Sequence, residues 1–245
     1  MAKEVFSRRE EKYIVTKEMY ENIIKDSANK IIADEHSKNN SFYQICNIYY
    51  DTPDNNLIRT SLQKPKYKEK IRLRSYGTPS KNSFVFLEIK KKFKGCVYKR
   101  RTTLKLDEAY KFAATGNIGE IKEYMNPQIM QELSYSIKSY KVQPKVFLSY
   151  ERRAFFSAEN PEFRLTFDKN IISRREDTNL EYGVFGERVI DENEMVMEVK
   201  YSERMPLWFI AILRKYNLEK TSFSKYGTEY NYYIKNGYKE IRKYA

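Results

Sequence analysis

Alternation with a period of two recurs along the chain, and each time one set of alternate positions carries charge. The runs are Glu10/Lys12, Lys68/Lys70/Arg72/Arg74, Glu88/Lys90, Lys99/Arg101, Arg164/Asp168 and Glu198/Lys200. In four of them the intervening residues are largely apolar: Ile71 and Leu73; Val85, Leu87 and Ile89; Phe163, Leu165 and Phe167; Met195, Met197 and Val199. Successive side chains of a strand point to opposite faces, so each run predicts a strand with one charged and one apolar face. A solvated sheet face normally mixes signs. Here cations predominate and acids recur beside lysines as Glu-x-Lys, the pattern of a sheet whose polar side encloses a polyanion, with or without a metal.

The remaining elements follow from breaks in that period. A first charged strand around 6–15 is followed by a helical pattern that Thr16 can cap. QICNIYYDTPDN predicts a strand ending in a turn built by Asp51, Pro53 and Asp54. Lys68–Tyr76, Ser83–Lys92 and Val97–Leu106 predict three antiparallel strands joined by GTPSKN and by a Lys94-Gly95 turn. Residues 107–140 lose the alternation and predict a helical insertion, with Asp107 and Asn126-Pro127 as starts. Strands resume in KVFLSYERRAFF, EFRLTFD and MVMEVKY, around a polar segment at 173–193. Pro206 opens an apolar helix, 206–216, expected to be buried on nearly all sides. Neither an internal repeat nor a low-complexity linker divides the sequence, so a single domain over 1–245 is expected.

Composition narrows the partners. Forty-six Lys and Arg against 33 Asp and Glu give a formal net charge of +13, which points to an anion: nucleic acid, membrane surface, nucleotide or polyphosphate. Aromatics at 15%, with 22 Tyr and 14 Phe, argue for many strands and against disorder. Cys46 and Cys96 lack metal-ligand spacing, and the single histidine, His36, sits in a polar stretch and reads as a loop residue, which disfavours a zinc site and leaves any catalytic triad resting on one residue. MAKEVFSRREEKY lacks a signal-peptide core, and MPLWFIAIL at 205–213 is far short of the roughly 20 residues of a membrane span. A soluble, cytoplasmic protein is expected.

Enclosed cations repel one another and are tolerated where a ligand neutralises them. Arg72 and Arg74 on one strand face stand about 7 Å apart, a spacing suited to successive phosphates. Lys90, Lys99 and Arg101 extend that grip if neighbouring strands turn them inward; a solvated basic face is the alternative. Glu198 and Glu88 each precede a lysine by two residues. Such a carboxylate can balance charge in an intersheet salt bridge, or hold Mg²⁺ or Mn²⁺ through oxygen while the metal bridges phosphates.

RREEKYIV at 8–15, IYYDT at 48–52, IRLRSYG at 71–77, FLEIKKK at 86–92, VYKRR at 97–101, SYERRAF at 149–155, RLTFD at 164–168, MEVKY at 197–201 and SFSKYG at 222–227 resemble, in order, the motifs of VTC domains. These are the polyphosphate polymerase domains of the triphosphate tunnel metalloenzyme superfamily, and the resemblance covers essentially the whole chain. It implies an α+β fold: a closed antiparallel β-barrel tunnel with helices packed outside. It also implies transfer of the terminal phosphoryl of ATP to a growing inorganic polyphosphate chain, with Mn²⁺ or Mg²⁺. By matched position, Lys12, Arg72, Arg74, Lys90, Lys99, Arg152 and Lys225 look like phosphate-gripping residues. Tyr150 and Ser224 look like supporting hydrogen-bond donors, and Glu198 like the metal carboxylate. Arg101, Arg164 and Lys200 share their parity and are weaker candidates.

The chain departs from the family pattern at Ser222, where eukaryotic members carry a lysine; Lys220 is near but off register. Val146 and Leu148 share parity with Tyr150 and Arg152, so inward Tyr150 and Arg152 require a bulge or a barrel end there. Three further functions stay open. The same tunnel can hydrolyse inorganic or nucleoside triphosphate, or it can bind polyphosphate without turnover. Nucleic-acid binding fits the charge, but a narrow tunnel excludes a duplex and no RNA- or zinc-finger signature is present.

Overall fold

The computed structural model describes residues 5–6, 9–94 and 96–243. Its strands are β1 (Val5–Phe6), β2 (Arg9–Thr16), β3 (Ile31–Ala33), β4 (Tyr43–Asp51), β5 (Tyr67–Tyr76), β6 (Phe84–Phe93), β7 (Cys96–Lys105), β8 (Gln143–Ser157), β9 (Arg164–Arg174), β10 (Glu187–Arg188) and β11 (Glu194–Tyr201). The helices are α1 (Lys17–Ser27), α2 (Asn56–Leu62), α3 (Leu106–Thr115), α4 (Pro127–Tyr140), α5 (Leu207–Lys215) and α6 (Lys225–Lys243). Every pairing is antiparallel, in the order β1-β7-β6-β5-β4-β8-β9-β11-β2, with β3 and β10 on the flanks. The result is an antiparallel, sheet-rich α+β fold.

The ladder differs from the closed ring expected. Among the described residues the hydrogen-bonded path has two ends, β1 and β2, and no β2–β7 ladder joins them. Residues 7 and 8, which link those ends and include Arg8 of the first motif, lie outside the described residues, as does Gly95 of the Lys94-Gly95 turn.

Two apolar cores lie on the outer face, as the alternation predicts. Ile71, Leu73, Val85, Leu87 and Ile89 pack with Phe112, Met130, Leu133 and Ile137 of α3 and α4. Phe163, Leu165, Phe167, Met195, Met197 and Val199 pack with Ile23 of α1 and with Phe209 and Ile212 of α5. Burying such side chains contributes about 1.5–3 kcal/mol each, which fixes the apolar face outward toward the helices and leaves the charged face to point the other way.

Local signals explain several boundaries. The Thr16 hydroxyl accepts from the Met19 amide at 3.1 Å and caps α1. Asn126 caps α4 with Pro127 at its first position. The insertion at 107–140 is two helices, in keeping with its two expected starts, and α3 ends on Gly116 at φ +66°, a left-handed conformation that glycine adopts without strain. Helix α5 is less enclosed than expected: Phe209 and Ile212 are buried, but Leu207 is 83% exposed. Helix α2 was not signalled by periodicity. It is nucleated by Asp51, whose carboxylate accepts from the Leu57 and Ile58 amides at 2.8 and 2.9 Å.

A third apolar cluster sits on the opposite face. Ile45 and Tyr49 of β4, Val146, Leu148 and Tyr150 of β8, Ile171 of β9 and Val196 of β11 pack against Tyr226 and Tyr230 of α6. Val146, Leu148, Tyr150 and Arg152 therefore keep one parity: the first two are covered by α6, and the polar stretch begins beyond them. This is the sheet-end alternative. β8 has a bulge of its own only at Lys145, before this stretch, where Tyr49 and Tyr50 pair with Val146 and Pro144; alongside Tyr150 the bulge is in the neighbouring strand. Between Ser149 and Glu151 the β8–β9 register slips by one, and Asn170 at φ +48° is the extra residue, so Asp168 and Ile171 both face inward despite odd spacing.

Candidate functional site

The charged face surrounds one cavity of about 680 Å³, lined from β2, β4, β5, β6, β7, β8, β9, β11 and the start of α6. Eleven lysine and arginine side chains reach it, against five carboxylates, so the lining is a net cation even though its members pair with one another. All thirteen residues singled out from the sequence are in this lining: Lys12, Arg72, Arg74, Lys90, Lys99, Arg101, Tyr150, Arg152, Arg164, Glu198, Lys200, Ser224 and Lys225. The strands bring them together because the rungs align. Lys70 is opposite Lys90, which is opposite Lys99; Arg72 is opposite Glu88, which is opposite Arg101.

Buried carboxylates hold the cations in place. Glu88, 1% exposed, binds Arg72 Nε at 2.6 Å and Lys99 Nζ at 2.8 Å, with Arg74 Nε at 4.0 Å. Asp168, fully buried, takes a two-pronged bond from Arg152 at 2.6 and 2.7 Å and a short one from Lys225. Glu198 pairs with Lys12 at 3.6 Å and with Lys200, while Glu10 pairs with Lys12 at 3.2 Å and with Lys90 at 3.8 Å. Both Glu88 and Glu198 thus form salt bridges to cations of neighbouring strands. Burial alone would raise these acids. For Asp168, the Arg152 and Lys225 charges override it and hold the carboxyl at about 2, and Glu88 and Glu198 are likewise held well below the usual carboxylate range by their cations.

Hydroxyl groups join the cations. Tyr150 accepts from Arg74 Nη2 at 3.1 Å, and Lys225 and Arg152 lie over its ring. Ser224 accepts from Lys70 Nζ at 3.0 Å, and Lys12 donates to the Phe223 carbonyl at 3.1 Å. The segment that leads into α6 is thereby tied to β2 and β5.

Several lining residues were not singled out from the sequence. Lys70 and Glu10 have the right parity and were visible in the alternation, but Lys70 lies just before the motif at 71–77, and Glu10, inside the motif at 8–15, was not matched to a binding position. Burial brings Lys70 down to about 8, and among the described residues no carboxylate lies within ion-pair distance of it. Tyr49 shows the opposite balance: burial would raise it, but the Arg72 and Lys70 charges bring it to about 8. Asp34, His36, Tyr43 and Tyr76 lie at one mouth, where β4 begins and β5 ends, and no local sequence pattern marks them. His36 stands in a 3-10 turn, Glu35–Asn40, rather than an open loop. Lys220 pairs with Glu11 at 2.9 Å and is not in the lining.

Among the described residues, no three His, Cys, Asp or Glu side chains gather as a metal cluster, and no helix is long and apolar enough to cross a membrane. Cys46 is buried and Cys96 exposed, both as free thiols.

Known proteins share this architecture. A candidate adenylate cyclase from Bacillus halodurans superposes with a TM-score of 0.55 at 18% identity, over 91% of this chain and 96% of its own. One from Vibrio parahaemolyticus gives 0.47 at 12% identity, over 91% and 97%. A candidate adenylyl cyclase from Hippeastrum, described as having a dominant triphosphatase activity, gives 0.47 at 13%, over 89% and 92%. At these identities the first likeness speaks to fold alone. No curated protein matches the chain in sequence. The family model of the VTC domain matches residues 7–234, nearly the entire length, and this chain belongs to the VTC domain family.

Proposed function

We propose that the cavity transfers the terminal phosphoryl group of ATP to a growing inorganic polyphosphate chain. The observation that carries the reading is the convergence of eleven cations on one cavity, most of them already held by carboxylates or hydroxyls of the same lining or behind it. Phosphoryl transfer needs in-line positioning and charge neutralisation more than a covalent nucleophile. A terminal phosphate oxygen of the acceptor attacks the γ-phosphorus, the bond from that phosphorus to the β,γ-bridging oxygen breaks, and ADP leaves with the bridging oxygen's electron pair. Arg72, Arg74, Lys90, Lys99, Arg152, Lys12 and Lys225 grip the phosphates in this reading. Their carboxylate partners fix them before the substrate arrives, so little reorganisation is needed as charge shifts. Tyr150 and Ser224 each accept a hydrogen bond from a cation, so their own hydroxyl hydrogens can turn to phosphate oxygens.

Glu198, with Glu10 two rungs away on the same face of the paired strand, fits a hard divalent cation that draws its other oxygens from phosphate rather than from a protein cage. Mn²⁺ or Mg²⁺ held there would supply charge neutralisation across the phosphates. The pair is too small a donor set to retain such an ion without them.

The apolar end of the inner face beneath α6 favours a second reading, hydrolysis of inorganic or nucleoside triphosphate, since a short substrate fills the polar stretch without threading past that end. Incubating the protein with ATP and Mn²⁺ separates the two. The polymerase reading expects ADP and a phosphatase-sensitive ladder of polymer. ADP with orthophosphate alone would establish the hydrolase, and untouched ATP with retained polyphosphate binding would leave a binding module.

A further inference from the structure

The cavity is chemically asymmetric. Its floor and walls carry lysine, arginine and carboxylate, but the mouth at the start of β4 and the end of β5 is aromatic. His36 stacks on Tyr76 with ring centroids 5.3 Å apart and planes 18° from parallel. Tyr43 leans on both rings at 5.4 and 6.2 Å, and Tyr76 meets the edge of Phe86 at 5.9 Å. Other aromatic groups pack into cores, as Phe163, Trp208 and Phe209 do, or stand exposed away from the cavity, as Phe84 and Phe93 do. The mouth rings do neither: the His36 side chain is 51% exposed and Tyr76 44% exposed. Contiguous ring surface left exposed beside a polar cavity is the kind of patch that marks a ligand-binding groove.

The platform is also held in place. Asp34, 6% exposed, accepts from the Ser37 amide at 2.9 Å, which fixes the turn that carries His36, and its other oxygen lies 3.4 Å from both the Tyr43 hydroxyl and Arg164 Nη2. One carboxylate thus ties the aromatic mouth to the cationic wall. Tyr76 follows Arg74 by two residues and Arg72 by four on the same strand face, so the rings stand about 7 and 13 Å from the two arginines along the strand.

We propose that this mouth is a nucleobase-stacking subsite, in which the base of a nucleoside triphosphate lies on the His36–Tyr76 platform while its phosphates run inward to Arg74 and Arg72. The inference rests on the proposed use of a nucleotide by the same cavity, and adds which end of the cavity takes the nucleoside and what selects it. Stacking is tolerant of base identity and needs no hydrogen-bond code, and a purine covers more ring surface than a pyrimidine.

The test compares binding of ATP with binding of tripolyphosphate, which has no base, to wild type, Tyr76→Ala, His36→Ala and Tyr76→Phe, with melting curves to confirm folding. Tyr76→Ala is expected to weaken ATP binding about tenfold, the scale of one base stacked on one ring, and tripolyphosphate less than twofold. Tyr76→Phe keeps the ring and should bind ATP as wild type does. Equal losses for both ligands, or no loss for either, would overturn the subsite while leaving the cavity reading intact. Wild type that binds tripolyphosphate but not ATP would overturn the subsite and the ATP donor together, and wild type that binds neither would remove the phosphate reading itself. Should Tyr76→Ala fail to fold, His36→Ala gives the same comparison from the other ring.

Discussion

Lys70 is a half-buried ammonium with a serine hydroxyl for a partner, and its proton is correspondingly loose. In the folded protein it titrates near 8, whereas an unfolded lysine holds its proton to about 10.4. Between those values the unfolded chain binds more protons, so stability of the ligand-free protein rises with pH through that window; below it, the strain of the charged form is fully present. Binding runs the other way. Tripolyphosphate should bind about tenfold less tightly at pH 9.5 than at pH 7, the worth of one charged hydrogen bond at ~1.5 kcal/mol. Titration calorimetry at the two pH values checks this. Lys70→Arg, which cannot deprotonate, should show a clearly shallower decline; an unchanged slope would assign the effect to other groups. Lys70 was legible in the alternation as one of four cations on a strand face. Its missing carboxylate was not, because ion pairing is decided by which rungs meet across strands, and the register of β5 against β6 and β7 is set by the whole sheet.

At the scale of elements, the strands were largely legible and two helices were not. Period-two alternation with apolar partners placed β5, β6, β7, β9 and β11 within a few residues, because two outer cores enforce that period. Helix α6 gave little signal: KYGTEYNYYIKNGYKEIRK contains two glycines and a run of tyrosines, both poor helix formers, and its order comes from docking Tyr226 and Tyr230. The bulge at Asn170 was equally hidden, since an asparagine inside a strand pattern can be a turn, an edge or an extra residue. Its left-handed backbone lets Asp168 and Ile171 face the same side, and its side chain donates to Glu151 at 2.8 Å. Asn170→Val should therefore destabilise the fold by about 1–3 kcal/mol, because a β-branched residue is strained at positive φ. Asn170→Gly keeps the conformation and should cost less. Thermal melts of the two variants decide it: if valine is tolerated as well as glycine, the bulge is not what sets the strand.

For the whole molecule, enclosure of so many cations makes the empty state the strained one. Anything anionic that fits should stabilise it. Tripolyphosphate at a hundredfold excess over its dissociation constant adds about 2.7 kcal/mol, which should appear as a rise in melting temperature that disappears at high salt. A melting temperature indifferent to tripolyphosphate would mean that the carboxylates already neutralise the lining.

The apolar cluster beneath α6 has an electrical consequence. Tyr49, Val146, Leu148, Ile171 and Val196 form a wall of low polarisability behind the cations, where water is absent to absorb their field. Field lines that cannot spread backward emerge through the open, aqueous side instead. The same side chains that plug one end of the sheet thus act as a lens, concentrating positive potential at the mouth and drawing anions to the cavity from well outside contact distance.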